Sequence, residues 1–257
     1  MLKLKRMFTL ILSGALCAAC AFGLGACGNS EGSDDSGDTG DIDVSKLSSD
    51  KVDAAGWVAA MTSSDIYNST ATGTESVSYT SSSGETTTDQ YYDIALKVDA
   101  VEQNEVVTGL INLSVKDKDG SEETEYYLFD GSGIKYYSYS SGSDSEDCYY
   151  SDSSDTVDDI LGMWYLHFMF ADESYFGGDY FNYSEDDGAY VWNYSSSYRY
   201  VVKIYDGNVV YAGMFASWES GSDKTVDEAV EVYYTYGDTT VTIPDDIQTK
   251  LDALTAE

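Results

Sequence analysis

Two adjacent runs decide the fold: QYYDIALKVDA (90–100) and EVVTGLINLSVKD (105–117). In the first, Tyr92, Ile94, Leu96 and Val98 fall on one side of an extended chain. Tyr91, Asp93, Ala95 and Lys97 fall on the other. In the second, Val107, Ile111, Leu113 and Val115 alternate with Thr108, Asn112 and Ser114. Successive side chains of a strand point to opposite faces, so a period of two with one apolar phase predicts half-buried antiparallel strands.

The same pattern continues on both sides of these runs, with turn signals between the segments. Lys118-Asp119-Gly120, Asp130-Gly131-Ser132-Gly133, Asp187-Gly188 and Asp206-Gly207-Asn208 each separate two β-like stretches. Asp-Gly supplies the positive φ that tight hairpins need. About ten strands follow, at 74–82, 87–99, 105–117, 122–129, 134–140, 146–151, 188–195, 198–205, 208–219 and 226–236. Pro244 is the one proline of the chain and falls just beyond the last of them, after a short extended piece, TTVTIP. Strands without proline are free to occupy the middle of a sheet.

Three stretches read as helix. In SSDKVDAAGWVAAMTSSD, Asp50 suits a cap and Asp53 a first turn, and Val52, Ala55 and Ala59 with Trp57 and Met61 supply an apolar side. In SSDTVDDILGMWYLHFMF, Ser154, Asp155 and Thr156 are capping residues, and Ile160 to Phe170 is apolar nearly all round. Such a helix is covered on every side. It is either a core helix lying across the sheet or a lid over an apolar cavity, in which case Trp164, Leu166, Phe168 and Phe170 contact an apolar ligand. The loop that follows, ADESYFGGDYFNYSEDDG, would then be the mobile element. The last stretch, PDDIQTKLDALTAE, places Ile247, Leu251 and Leu254 on one side of a short amphipathic helix. Segregated strands and helices predict an α+β fold on an antiparallel sheet.

The start of the chain is of another kind. Lys3, Lys5 and Arg6 precede an apolar run from Met7 to about Ala26, and no acidic residue comes before Glu31. This is the layout of a secretory signal, although the run is long enough for an uncleaved anchor. Leu24-Gly25-Ala26-Cys27 resembles the bacterial lipobox, a leucine and two small residues before a cysteine. The resemblance implies recognition of Leu24, Gly25 and Ala26 by a signal peptidase and diacylglycerol on Cys27, which becomes the mature N-terminus. Two acyl chains make a stable membrane anchor where one is marginal. Residues 1–26 are then a signal peptide and 27–49 a Gly/Ser/Asp-rich tether too poor in apolar surface to fold. Its root-mean-square span is roughly 25 Å. A single domain occupies 50–257.

The composition carries 46 acidic against 13 basic residues, a net charge of −33. Removing the signal takes away three basic residues and leaves −36. That charge excludes nucleic-acid binding, which depends on Lys and Arg meeting phosphates, and electrostatic docking on anionic lipid. Cys148 is the one mature cysteine besides Cys27, so with Cys27 lipidated no intrachain disulfide forms; it reads as a small half-buried residue or an incidental thiol.

Catalytic patterns are missing from the sequence. His167 is the one histidine, which leaves no triad or histidine metal cage. Asp117-Lys118-Asp119-Gly120 has its glycine too early for a calcium loop and reads as a hairpin turn. No cofactor, metal or catalytic residue is assigned. Tyr126, Tyr127, Tyr136, Tyr137, Tyr139, Tyr149 and Tyr150 fall on neighbouring strands. They either pack across strands or, if exposed, stack on glycan or a protein partner.

The order of strands and helices is similar to the LolA-like fold of bacterial lipoprotein and lipid carriers. The ending VEVYYTYGDTTVTIPDDI (230–247) resembles the last strand of clostridial-type lipoproteins of that group, where Y-x-x-Y-G precedes V-x-I-P. The resemblance implies a curved half-barrel sheet with helices on its concave face and an apolar cavity between. It implies a membrane-anchored, extracytoplasmic, non-enzymatic lipoprotein that carries a lipid or other apolar ligand. The alternative is a cell-surface protein that binds glycan or protein through exposed tyrosines.

Overall fold

A computed structural model describes residues 47–103, 106–131, 133–151, 161, 169–220, 224–237 and 239–254. Residues 1–46, on which the expected signal, lipobox and most of the expected tether fall, lie outside these residues, as do Trp164, Leu166, His167 and Phe168. Helix α1 (Ala54–Met61) and a 3-10 turn (Ser64–Tyr67) lead into β1 (Asn68–Ser81), β2 (Thr86–Gln103), β3 (Val106–Asp117), β4 (Glu122–Asp130), β5 (Ile134–Ser140) and β6 (Ser145–Ser151). After a second 3-10 turn (Glu173–Tyr175) come β7 (Asn182–Ser184), β8 (Ala189–Asn193), β9 (Tyr198–Tyr205), β10 (Asn208–Glu219), β11 (Lys224–Tyr236) and helix α2 (Asp245–Asp252).

All eleven strands form one antiparallel sheet in the order β6-β5-β4-β3-β2-β1-β11-β10-β9-β8-β7. The first and last strands pair at its centre, and two meanders run outward from that seam. The sheet is open: β6 carries Glu146 and Asp147, and β7 is only three residues long. Charged and short edges both discourage further strand addition. The alternation predicted for 90–117 is realised. Ile94, Leu96 and Val98 are buried while Asp93, Ala95 and Lys97 are exposed, and Ile111, Leu113 and Val115 face the same core.

The hairpins close where Asp-Gly places them. Asp206 and Gly207 both have positive φ, 49° and 77°, which matches the right-handed twist of the flanking strands. The Lys118-Asp119-Gly120 turn is likewise a hairpin: the Asp117 N–H donates to the Ser121 carbonyl at 2.8 Å, and an Asp119 carboxylate oxygen accepts from the Ser121 N–H at 2.8 Å.

Three sequence-based expectations are corrected. Helix α1 starts at Ala54, with Asp53 rather than Asp50 as its cap; Asp53 accepts from the Gly56 N–H at 2.9 Å. The preceding residues are pulled into extended form along the sheet, where Asp50 N donates to the Ile204 carbonyl and Val52 N to the Tyr190 hydroxyl, each at 2.7 Å. That shift turns Trp57, Ala60 and Met61 inward and leaves Ala55 and Ala59 exposed. The eleventh strand, β7, comes from the stretch read as a loop, because Phe181 is fully buried beside it and Asp187-Gly188 folds it onto β8. β1 begins at Asn68, six residues before the expected 74, and so places Ala71 in the core; TTVTIP stays outside the sheet as the expected extended piece, with Thr239 N donating to Asn68.

Helices α1 and α2 lie on opposite faces of the sheet. One face packs Trp57 and Met61 of α1 with Ala71, Leu96, Ile111, Tyr127, Ile204 and Tyr234 in the main core. On the other face Leu251, Ile247 and Leu254 of α2 pack on Tyr126, Tyr137 and Leu110, the grouping predicted from their spacing. Each such apolar side chain, fully buried, contributes about 1.5–3 kcal/mol.

Candidate functional site

The face that carries the main core is lined by apolar side chains from Ile134 on β5 to Tyr190 on β8. Its β7–β10 end is aromatic. The Trp57 ring lies 5.0 Å from Phe181, 5.4 Å from Tyr190 and 5.9 Å from Phe176, and its indole N–H donates to the Phe170 carbonyl at 3.0 Å. Phe170 in turn sits 5.0 Å from Phe181, 5.2 Å from Tyr200 and 5.9 Å from Trp192. Of the four residues expected to contact an apolar ligand, Phe170 is therefore a buried member of an aromatic cluster. Trp164, Leu166 and Phe168 lie outside the described residues. Leu161, from the same stretch, is fully buried in the core. The cluster reaches solvent at Tyr180 and Tyr194, which are 41% and 58% exposed beside the Trp192 ring, and Met169, next to Phe170 in the chain, is 45% exposed.

The β3–β6 end holds a buried carboxylate. Glu125 is 2% exposed and accepts from the hydroxyls of Tyr127 and Tyr136, one on each carboxylate oxygen, both at 2.6 Å. The register explains the meeting: Tyr127 is two residues along β4 on the same face, and Tyr136 is its cross-strand partner on β5. Burial pushes the Glu125 carboxyl above the ordinary carboxylate range, and the two phenol donors oppose that shift. Both tyrosine hydroxyls are pushed upward in turn, first by burial and then by the neighbouring Glu125. They remain donors at every physiological pH.

At the centre, Glu75 on β1 is 7% exposed and Glu228 on β11 is half-buried. Burial, then the Glu228 charge, pushes the Glu75 carboxyl up to about 7, and burial also raises Glu228. None of these three glutamates stands out by composition in so acidic a chain. Their signal is phase: Glu228 precedes Val230, Val232 and Tyr234 at intervals of two, and Glu125 precedes Tyr127 and Phe129 in the same way.

The tyrosines of β4 to β6 divide by alternation. Tyr127, Tyr136 and Tyr149 turn to the main core, with ring centroids 4.9 and 4.8 Å apart along the row. Tyr126 and Tyr137 turn to the other face under α2. Tyr126, Tyr127, Tyr136 and Tyr137 are all buried and Tyr149 and Tyr150 half-buried, which leaves Tyr139 as the exposed one. This group is cross-strand packing, not a stacking surface. Cys148 is half-buried beside them, and its thiol is pushed upward by burial, which makes it a poor nucleophile.

No group of three or more metal-ligating side chains occurs among the described residues. On the face opposite α1, a surface groove of about 230 Å³ is lined by Asp187, Arg199, Lys203, Tyr211, Glu231 and Tyr233. Asp187 accepts from Arg199 at 2.6 Å and Glu231 from the Tyr211 hydroxyl at 2.9 Å, so its charged groups are largely occupied with each other. No protein-family model matches this chain, and no curated protein matches it.

Proposed function

We propose that the chain is a non-enzymatic lipoprotein of the LolA-like kind, held on the extracytoplasmic side of the cell membrane by lipid on Cys27. In this reading the covered face of its sheet holds a lipid or another apolar ligand. The observation that carries the address is Leu24-Gly25-Ala26-Cys27, placed after a basic and then an apolar segment. The ligand class is supported by proportion. Eleven strands at about 4.8 Å make a sheet roughly 50 Å wide, while α1 with its eight residues is about 12 Å long. Among the described residues α1 lies over only part of that apolar face, and the aromatic cluster of Phe170, Phe176 and Phe181 packs on it beside the helix.

Cys27→Ala tests the address: the variant leaves the membrane fraction or accumulates as unprocessed precursor, and normal retention with normal processing refutes the anchor. Native mass spectrometry of that variant tests the ligand. Bound mass that organic extraction removes supports it, and a bare chain that stays bare when mixed with lipid extract rejects it. A second reading, contact with protein or glycan, is favoured by one feature, the exposed rings of Tyr180 and Tyr194 beside Trp192.

A further inference from the structure

The seam between β1 and β11 is the one pairing that joins the two meanders. In its register Glu75 lies opposite Val230, and Val77 lies opposite Glu228. The two glutamates are thus diagonal neighbours on the covered face, a separation within reach of long side chains. Glu75 has neither a hydrogen-bond donor nor a cation paired with it among the described residues. Glu125, on the same face, has two donors. A carboxylate at 7% exposure that lacks both is costly to keep charged, and taking up a proton relieves that cost.

Among the described residues, no cation faces Glu75 to balance its charge. From β2 the facing residue is Tyr92, and beyond it on β3 is Asp117, another acid. From β11 Val230 lies directly opposite and Glu228 on the diagonal, and from β9, Tyr198 and Tyr200 face Glu228. From β10 the same rows contribute Met214 and Ala216, which carry no charge. On β11 itself, Lys224 lies four residues from Glu228, with its ammonium over the Tyr79 ring.

We propose that the β1–β11 seam is a proton-operated latch: a proton on Glu75 holds the two meanders together, and its loss beside Glu228 loosens their pairing. The direction of the carboxyl's displacement agrees, since burial and Glu228 both hold it above its ordinary 4.5, at about 7. A carboxyl raised by folding contributes stability that is complete below pH 4.5 and is lost as pH rises through 7. The latch is independent of the ligand reading, because it concerns the sheet alone.

The test is thermal melting of the full chain at pH 5 and pH 8, with Glu75→Gln beside it. The wild type is expected to lose roughly 5–10 °C more than the variant over that interval. Equal losses overturn the proposal. Hydrogen exchange, corrected for intrinsic pH dependence, locates the change. Faster exchange at pH 8 confined to β1 and β11, and absent in Glu75→Gln, supports a latch; a uniform response across the sheet refutes it. Should Glu75→Gln fail to fold, the wild-type Glu75 side-chain carboxyl signal decides by carbon NMR. A midpoint near 7 agrees, and one near 4.5 is fatal.

Discussion

Glu125 and Glu75 sit on the same face of one sheet, three strands apart, and both are more than nine-tenths buried. Around Glu125 the pairing of β4 with β5 delivers two phenol hydroxyls, one to each carboxylate oxygen. Around Glu75 the pairing of β1 with β11 delivers valines and a second glutamate. One carboxylate is built into its surroundings as a fixed structural element. The other remains a titrating group at the joint between two halves. The difference shows that burial alone does not define a site; the donors that the register brings to the buried group do.

The largest expected effect attacks the satisfied side of this contrast. The double change Tyr127→Phe and Tyr136→Phe leaves the Glu125 carboxylate buried without its donors and should cost about 3 kcal/mol or more, measured by urea unfolding at neutral pH. A cost below about 1 kcal/mol would mean that Glu125 is already neutral and self-sufficient, and the contrast with Glu75 would collapse. On the unsatisfied side the sign is opposite. Glu75→Gln should stabilise at pH 8 by up to about 3 kcal/mol and by little at pH 5, because the displaced carboxyl no longer costs anything to ionise. Glu228→Gln should act in the same direction but more weakly, about 1 kcal/mol, since that side chain is only half-buried and is the second cause of the Glu75 displacement. An effect of Glu228→Gln equal to that of Glu75→Gln would sharpen the picture into a pair sharing one proton.

Most of the sheet was legible because period-two alternation and Asp-Gly turns are local signals. Ten strands, including those around Leu96 and Leu113, were expected from the pattern, although β1 starts at Asn68, six residues before the expected 74, and Asp206-Gly207 turns as its dipeptide demands. β7 was not legible: Asn182–Ser184 is too short to show a period, and it becomes a strand because Phe181 is buried under Trp57. The cap of α1 also escaped local reading, since both Asp50 and Asp53 suit a cap and only the hydrogen bond of Asp50 N to Ile204 decides between them. The candidate site was less legible still. Phe170 was singled out for the apolar character of its stretch, whereas Glu75, Glu125 and Glu228 hid among 46 acidic residues.

By itself the sequence determined the strand phase and the hairpin turns, because each depends on residues close together in the chain, and the strongly acidic charge, which is a matter of composition. Tertiary structure alone decided which strands meet at the centre. Residues near 75 and 228 pair there across 153 positions of chain, and no local rule brings the first strand against the last. That long-range register also separates a carboxylate with two donors from one with none. Hydrogen-bond satisfaction depends on cross-strand neighbours, which are set by the whole sheet rather than by the residues beside each glutamate in sequence.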